Sequence, residues 1–388
     1  MKKLLLINSR FLPLIGGGET YTIELMQYFA QKGWEVHLVT QERGFGHSTW
    51  SDCEIHYIDG FDDNDLHIHA CAPHLRKVLD EVKPDLVHVH NIMPYFIYSS
   101  LVDRHEFSTV LTIHNTPDIP RRIFGGFHDF KSEYMFTRQL LANGQCDKLL
   151  VGSKYYLDSY SDVAPWIRNS SEVAYYFPPD ITTGPLVAKA MNIHDQVRLL
   201  FPSRILRRKG IEECIKALAK LPVHFTLSLP SFAHVEDVAY QLKIQELIDG
   251  LKLQDRVFTP GTITTPEMMR TFYANADIVV IPSHYEGFGI VAVEAMSWGV
   301  PVIASAVGGL GEIIHDHVNG ISVKPQCVDD IVEAILAIAD DKELASKLVH
   351  NAIETVKNTF NRTTHMRQIE VLYEEIIDRK QGVKHYES

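Results

Sequence analysis

Short apolar runs, many of them β-branched, alternate along the chain with longer amphipathic stretches. Lys3–Asn8 reads as a strand, Thr20–Gln31 as a helix and Glu35–Thr40 as a second strand. Asp85–His90, Thr109–His114 and Lys148–Gly152 extend the series, with helical periodicity between them. Strands that are apolar on both faces and separated by helices predict a parallel sheet covered on both sides. Right-handed crossovers then make it doubly wound.

The pattern breaks at Tyr176-Phe177-Pro178-Pro179-Asp180-Ile181-Thr182-Thr183-Gly184-Pro185, which reads as a linker because three prolines and a glycine cannot continue a helix or a central strand. It then restarts with strand Val197–Pro202, helix Gly210–Lys220, strand Val223–Leu229, helix Val235–Leu251 and strand Arg256–Thr259. Helix Pro266–Asn275, strand Ile278–Pro282, helix Gly289–Trp298 and strand Val302–Ala304 follow, and from Cys327 onward the chain is almost wholly helical. The reading is an α/β protein of two doubly wound, Rossmann-like domains, residues 1–180 and 185–360. Residues 364–388 are expected to pack back on the first domain. Two such sheets joined by a hinge predict a ligand cleft at their strand ends.

Bulk properties narrow the function. A length of 388 residues suits two domains. The net charge of −12 argues against nucleic acid as a partner, since phosphate binding wants a basic surface. The same charge tolerates a cationic small molecule. The apolar run after Met1-Lys2-Lys3 stops at Asn8-Ser9-Arg10, too early for a signal peptide. No window has the roughly 18 apolar residues of a membrane span, although peripheral membrane contact stays open. The five cysteines are scattered and odd in number, which fits reduced thiols in a cytoplasmic protein.

The chemistry concentrates in Pro282-Ser283-His284-Tyr285-Glu286-Gly287-Phe288-Gly289-Ile290-Val291-Ala292-Val293-Glu294-Ala295-Met296. Here a buried strand stops at proline, turns through two glycines and opens a helix. Glycines permit close backbone approach to a ligand, and a helix start offers free N–H groups to phosphate oxygens. Glu286 precedes the helix while Glu294 lies inside it, so the two carboxylates can address different parts of one extended ligand. Carboxylates suit sugar and ribose hydroxyls because they accept strong hydrogen bonds.

With the spacing Glu286-x7-Glu294 inside PSxxEGFGxxxxEAMxxGxPVIAS, the segment resembles the signature of retaining GT-B glycosyltransferases of family 4. The resemblance covers most of the chain. It includes Gly16-Gly17-Gly18-Glu19, Pro84 to His90, Thr112-Ile113-His114, Ser203-Arg204 through Lys209-Gly210, and Gly308-Gly309-Leu310-Gly311-Glu312. It implies that Glu294 binds the donor ribose. Glu286 would hold hydroxyls of the transferred sugar with help from the backbone of Gly287, Phe288, Gly289, Ile290 and Val291. Arg204 and Lys209 would grip the diphosphate and stabilise the charge that develops on it as the glycosyl–phosphate bond breaks. Gly17 and Gly18 would approach the donor phosphates or the acceptor, and His114 would sit beside the reacting sugar. Phe258–Thr262, with Gly261, would line the nucleotide base. Glu19 and His90 are weaker acceptor-side candidates.

The expected activity is transfer of a hexose or N-acetylhexosamine from a nucleotide diphosphate sugar, foremost a UDP-sugar such as UDP-GlcNAc, to an acceptor hydroxyl. Saccharides and aminocyclitols, in antibiotic or cell-envelope biosynthesis, are the acceptor candidates. No cofactor is expected beyond this co-substrate, and no catalytic metal. A nucleotide-sugar epimerase, a phosphorylase and a non-catalytic carbohydrate-binding protein are the competing readings. An epimerase would convert the donor without an acceptor, and a phosphorylase needs a pyridoxal-binding lysine context that is not evident. A binding protein has no need of Arg204, Lys209 and both glutamates together.

Other patterns weigh less. Gly16-Gly17-Gly18-Glu19-Thr20 lacks G-x-G-x-x-G spacing and reads as a flexible acceptor-side loop. Asp63-Asn64-Asp65 has the DxD form of metal-dependent glycosyltransferases but sits in an acidic loop. His67, His69, Cys71 and His74 are ligand types fit for zinc, yet no partner pair is spaced to close a site. Arg207 and Arg208 read as solvated surface.

Overall fold

The structure is a computed structural model that describes residues 1–11, 17–41, 48–59, 61, 68–103, 106–114, 140–142, 146–161, 163, 165–178, 196–232, 238–263 and 266–386. Its described residues fall into two compact units. Unit 1 takes the chain up to Tyr175 and again from Thr363, and unit 2 takes Tyr176–Arg362.

In unit 1 the strands are β1 (Lys3–Ile7), β2 (Glu35–Thr40), β3 (Thr49–Trp50), β4 (Cys53–Tyr57), β5 (Leu86–His90), β6 (Ser108–Ile113), β7 (Lys148–Val151) and β8 (Ser171–Val173). They form one sheet in the order β3-β4-β2-β1-β5-β6-β7-β8. All pairs are parallel except the β3–β4 hairpin. Alternation along the strands sorts the core into two layers. Leu5, Ile7, Val39, Val87 and Val89 pack with Leu75, Leu79 and Val82 of helix Ile68–Val82.

The long helix Arg362–Tyr386 is anchored within unit 1. Tyr373 stacks on Phe29 at 4.8 Å and hydrogen-bonds His88. Lys2 pairs with Glu374 at 2.7 Å, and the Lys380 ammonium donates to the Phe107 carbonyl.

Unit 2 carries β9 (Val197–Leu200), β10 (Phe225–Ser228), β11 (Ser231–Phe232), β12 (Val257–Phe258), β13 (Thr262–Ile263), β14 (Ile278–Ile281), β15 (Val302–Ser305) and β16 (Ile321–Val323). The main sheet is parallel in the order β12-β10-β9-β14-β15-β16, with β11 and β13 paired beside it. Ile211, Ile215 and Leu218 of helix Ile211–Lys220 bury one apolar stripe against Val197, Leu199, Ile278 and Val280.

The strands expected from periodicity appear, mostly one or two residues shorter. The short β3, β4, β8, β11, β13 and β16 are additions. The segment Gly17-Gly18-Glu19 departs from the loop reading, because helix Gly17–Gln31 already begins there. Gly16, Asp63-Asn64-Asp65, His67 and most of the proline-rich linker lie outside the described residues.

Candidate active site

In unit 2 the sheet order reverses between β9 and β14, since β9 has β10 on one side and β14 on the other. Loops leaving the carboxyl ends of two such strands diverge and leave room for a ligand. The loop after β9 carries Ser203, Arg204 and a 3-10 turn at Arg207–Lys209, closed by Gly210 at φ 74°. The loop after β14 carries Ser283 through Gly289.

The two loops touch because of glycine. A Cβ on Gly210 would stand 1.9 Å from the Pro282 carbonyl oxygen. The His284 N–H donates to the Arg208 carbonyl at 2.8 Å, and His284 Nε2 lies 3.1 Å from Glu213 Oε1. This contact sets Lys209 opposite Glu286. The ammonium donates to the carboxylate, with only 10% and 13% of the two side chains exposed. The Ser283 hydroxyl adds a bond to Glu286 at 3.4 Å.

Burial lowers the Lys209 ammonium to a pKa of about 8, against the opposing pull of Glu286 and with help from Arg208 and Arg204. Burial alone would raise the Glu286 carboxyl. Lys209 and Arg208, with the hydrogen bonds from Lys209 and Ser283, overcome it and hold the group below its ordinary value. The site at neutral pH is therefore a charged pair, with a lysine that loses its proton more readily than an exposed one.

Glu294 lies on helix Ile290–Ser297 and accepts a 2.8 Å bond from the Tyr273 hydroxyl, on helix Pro266–Asn275. Burial raises the Glu294 carboxyl, partly offset by that bond. Gly289 caps the first helix at φ 102°, and a Cβ there would meet Leu310 Cδ2 at 2.4 Å. The Gly309 N–H donates to the Glu286 carbonyl at 3.0 Å, which fixes the loop from the other side. The Phe288 ring is buried edge-on against Tyr176 and Phe360. The Phe288 ring is thus an anchor. Gly287, Gly289, Ile290 and Val291 bring their backbone to the helix start, where N–H groups lack intrahelical acceptors. Gly261 is exposed at φ 98° with open space around it, and Phe258 is exposed.

Two hydroxyls escaped the sequence reading. Ser203 and Ser305 follow or end β9 and β15, on either side of Ser283 beyond β14. Their Oγ atoms are buried without a hydrogen-bond partner among the described residues. An unsatisfied buried hydroxyl costs about 1–3 kcal/mol, so a polar ligand reaching the strand ends would satisfy both. Tyr273 was missed as well.

Unit 1 has its own cluster at the corresponding reversal, between β1 and β5. His88, His90 and His114 stack in a column, with His88–His90 centroids at 4.4 Å and His90–His114 at 5.2 Å. His90 Nδ1 and His114 Nε2 share a 2.9 Å hydrogen bond. Tyr21 meets both rings edge-on and pairs its hydroxyl with His365 at 3.1 Å. Gly18 lies over the His114 ring, where a Cβ would come within 3.3 Å. Burial lowers His88 and His114 to about 3 and His90 well below its ordinary value. The column is neutral, so His114 brings a hydrogen-bonding ring and no charge. Gly17 is exposed and Glu19 half-buried in the first turn of their helix.

Only part of the zinc-type pattern lies among the described residues. Cys71 is buried in the core, His74 is exposed, and neither His67 nor the His69 side chain is among the described positions.

Comparison with known proteins settles the family. The chain matches Glycosyltransferase Family 4 over residues 15–168 and Glycosyl transferases group 1 over residues 188–355. The chain belongs to these glycosyltransferases. It is 29% identical over 308 residues to the uncharacterized glycosyltransferase MJ1607 of Methanocaldococcus jannaschii, covering 73% of each protein. It is 24% identical over 384 residues to the N-acetyl-alpha-D-glucosaminyl L-malate synthase of Bacillus anthracis, covering 95% of this chain and 97% of that one. Anabaena Alr3699/HepE, solved in complex with UDP and glucose, superposes with a TM-score of 0.81 at 19% identity, over 97% of this chain and 100% of that one. The fold is GT-B, and the enzyme is a glycosyltransferase that uses nucleotide sugars. No helix among the described residues is long and apolar enough to cross a membrane.

Proposed function

We propose that this glycosyltransferase moves a hexose or N-acetylhexosamine from a UDP-sugar to an acceptor hydroxyl, with retention of anomeric configuration. The observation that carries the reading is the buried Lys209–Glu286 pair at the strand-order reversal of unit 2. A buried ion pair is a poor way to gain stability, but it is a ready receptor for a ligand that bears both charge and hydroxyls. The donor diphosphate takes the ammonium, with Arg204 beside it, and the sugar hydroxyls take the carboxylate of Glu286. Glu294, oriented by Tyr273, receives the ribose hydroxyls. The helix start at Gly287–Val291 faces the phosphates.

The anomeric carbon–oxygen bond to the diphosphate breaks while a bond to the acceptor oxygen forms on the same face. The acceptor proton passes to the departing phosphate oxygen. In unit 1, Gly17 and Gly18 approach the donor phosphates or the acceptor, His114 sits beside the reacting sugar, and Glu19 and His90 lie on the acceptor side; residues 185–360 are the donor-binding domain. Support for a uridine donor comes from the UDP and glucose complex of the Anabaena protein, and support for a hexose or N-acetylhexosamine comes from the glucosaminyl name of the Bacillus relative. The five free cysteines suit the cytoplasm. Saccharide or aminocyclitol acceptors fit a hydroxyl nucleophile.

Thermal shift with UDP, GDP, ADP and their sugars is expected to select UDP, followed by mass-spectrometric identification of the acceptor product. A guanosine or adenosine preference would overturn the donor assignment. Glu294→Ala is expected to weaken donor binding about 10- to 100-fold, in line with losing hydrogen bonds to a charged group worth roughly 1.5–3 kcal/mol. Tyr273→Phe follows in the same direction by a smaller factor. Calorimetric titration of UDP reads both.

Lys209 also gives a pH prediction. For the free enzyme, kcat/KM is expected to fall above about pH 8 as the ammonium is lost. The corresponding limb in kcat moves upward, because bound diphosphate favours the charged form. Stability runs the other way. Between about pH 8 and the ordinary lysine value of 10.5, the unfolded chain binds more protons at this position than the folded one. The Lys209 contribution therefore rises with pH across that window, which urea unfolding of wild type against Lys209→Met would resolve.

A further inference from the structure

The same tripeptide pattern occurs twice near the start of the chain, as Glu35-Val36-His37 on β2 and Glu54-Ile55-His56 on β4. These strands are parallel neighbours in a register that sets His37 opposite Glu54 and Val39 opposite His56. Alternation by two then places Glu35, His37, Glu54 and His56 on one face. Lys3 of β1, opposite Glu35, belongs to that face too.

The side chains converge. His37 Nδ1 lies 3.0 Å from His56 Nε2 and 3.5 Å from Glu54 Oε2, and His56 Nε2 is 4.0 Å from Glu54 Oε1. The three ligand atoms all fall within 4.8 Å of one another. On its other nitrogen His37 meets Glu35 Oε1 at 3.0 Å, and Lys3 holds the same oxygen at 2.9 Å. With the Nε2 proton committed to Glu35, the His37 Nδ1 lone pair points at His56. This carboxylate–histidine arrangement is how metal-ligating imidazoles are oriented.

We propose that His37, His56 and Glu54 form a binding site for a zinc-class divalent cation, with Glu35 orienting His37 and solvent in the fourth position. Two imidazole nitrogens and one carboxylate are ligands that zinc accepts with an open position. With Zn–N bonds of about 2.0–2.1 Å, a nitrogen separation of 3.0 Å corresponds to an N–Zn–N angle of about 95°. On binding, the cation takes the place of the hydrogen between the two rings. The His56 proton moves to Nδ1, and neutral imidazole coordinates. Glu54 has 57% of its side chain exposed, so it can swing inward, and the cation has an entry path past it.

The site is separate from the sugar chemistry. It lies on β2 and β4, on the face opposite His88 and His90, and it ties together two strands separated by 12 residues of chain between Thr40 and Cys53. Its function is a clamp on the sheet edge.

The test is calorimetric titration of ZnCl2 into the EDTA-treated full-length protein, with MgCl2 as a parallel arm. One Zn²⁺ per chain is expected, with Mg²⁺ failing to bind because it prefers oxygen ligands. His56→Gln should weaken Zn²⁺ at least 100-fold, and Glu54→Gln and Glu35→Gln about 10-fold or more. Glu54 is exposed and His56 half-buried, so these variants keep the fold, which their circular dichroism and UDP-induced thermal shift report independently of zinc. No saturable zinc binding, equal affinity for Mg²⁺, or undiminished affinity in His56→Gln would each overturn the site.

Discussion

Lys209→Ala is expected to lower kcat by about 100- to 1,000-fold while UDP binding weakens far less. Fixed positive charge aimed at an oxygen that gains charge in the transition state is worth roughly 3–4 kcal/mol in sites of this type. Lys209 is well placed to supply it, because its side chain is nine-tenths buried and held on a short turn. A stability effect accompanies the change, since Glu286 is left buried without its cation, and breaking one side of such a pair costs about 3–5 kcal/mol. The double variant Lys209→Met with Glu286→Gln separates the two effects. It should recover most of the stability and none of the turnover. Recovery of turnover in the double variant, or wild-type kcat in Lys209→Ala, would remove Lys209 from the chemistry.

The largest loss of stability from a single methyl group is expected at Gly210. The residue has φ 74°, a left-handed conformation that costs a side chain about 1–2 kcal/mol. The added Cβ would also sit 1.9 Å from the Pro282 carbonyl oxygen, a backbone atom at the end of a central strand that has nowhere to retreat. Overpacking of that kind adds about 1–3 kcal/mol. Gly210→Ala should therefore destabilise unit 2 by about 3 kcal/mol or more, a fall in Tm of roughly 10 °C, and impair UDP binding because Lys209 adjoins the displaced residue. Gly250→Ala is the control. Nothing lies within 4 Å of its Cβ position, so a neutral or slightly stabilising result is expected.

Much of this site was legible from local pattern alone. A strand that ends in proline, followed by two glycines and a helix carrying Glu294, specifies a crevice at a strand end whatever surrounds it. Arg204 and Lys209 entered through the family resemblance, and the structure sets them on a loop that follows another buried strand. What was not legible depended on pairings distant in sequence. The bond from Tyr273 to Glu294 joins two helices whose packing periodicity cannot reveal. The direct pairing of Lys209 with Glu286 required the β9–β14 register, and without it the two residues had separate roles toward separate parts of a ligand. The glycines at 17 and 18 misled in the opposite direction. Glycine signals a turn, but here helix Gly17–Gln31 starts on them, and the missing Cβ at Gly18 makes room for the His114 ring. The Glu-x-His repeat on β2 and β4 carries no signal by itself in the sequence, since only the offset register turns it into a cluster.

The position of helix Arg362–Tyr386 sets an order on biosynthesis. Tyr373 fills a slot between Phe29 and His88 that belongs to the first sheet, yet the ribosome delivers it only after the whole of unit 2 has been made. The nascent first unit must wait with an open groove while the second, whose described residues all lie between Tyr176 and Arg362, is free to fold as it emerges. Maturation would thus run inside out along the chain, with the earliest residues among the last to be sealed.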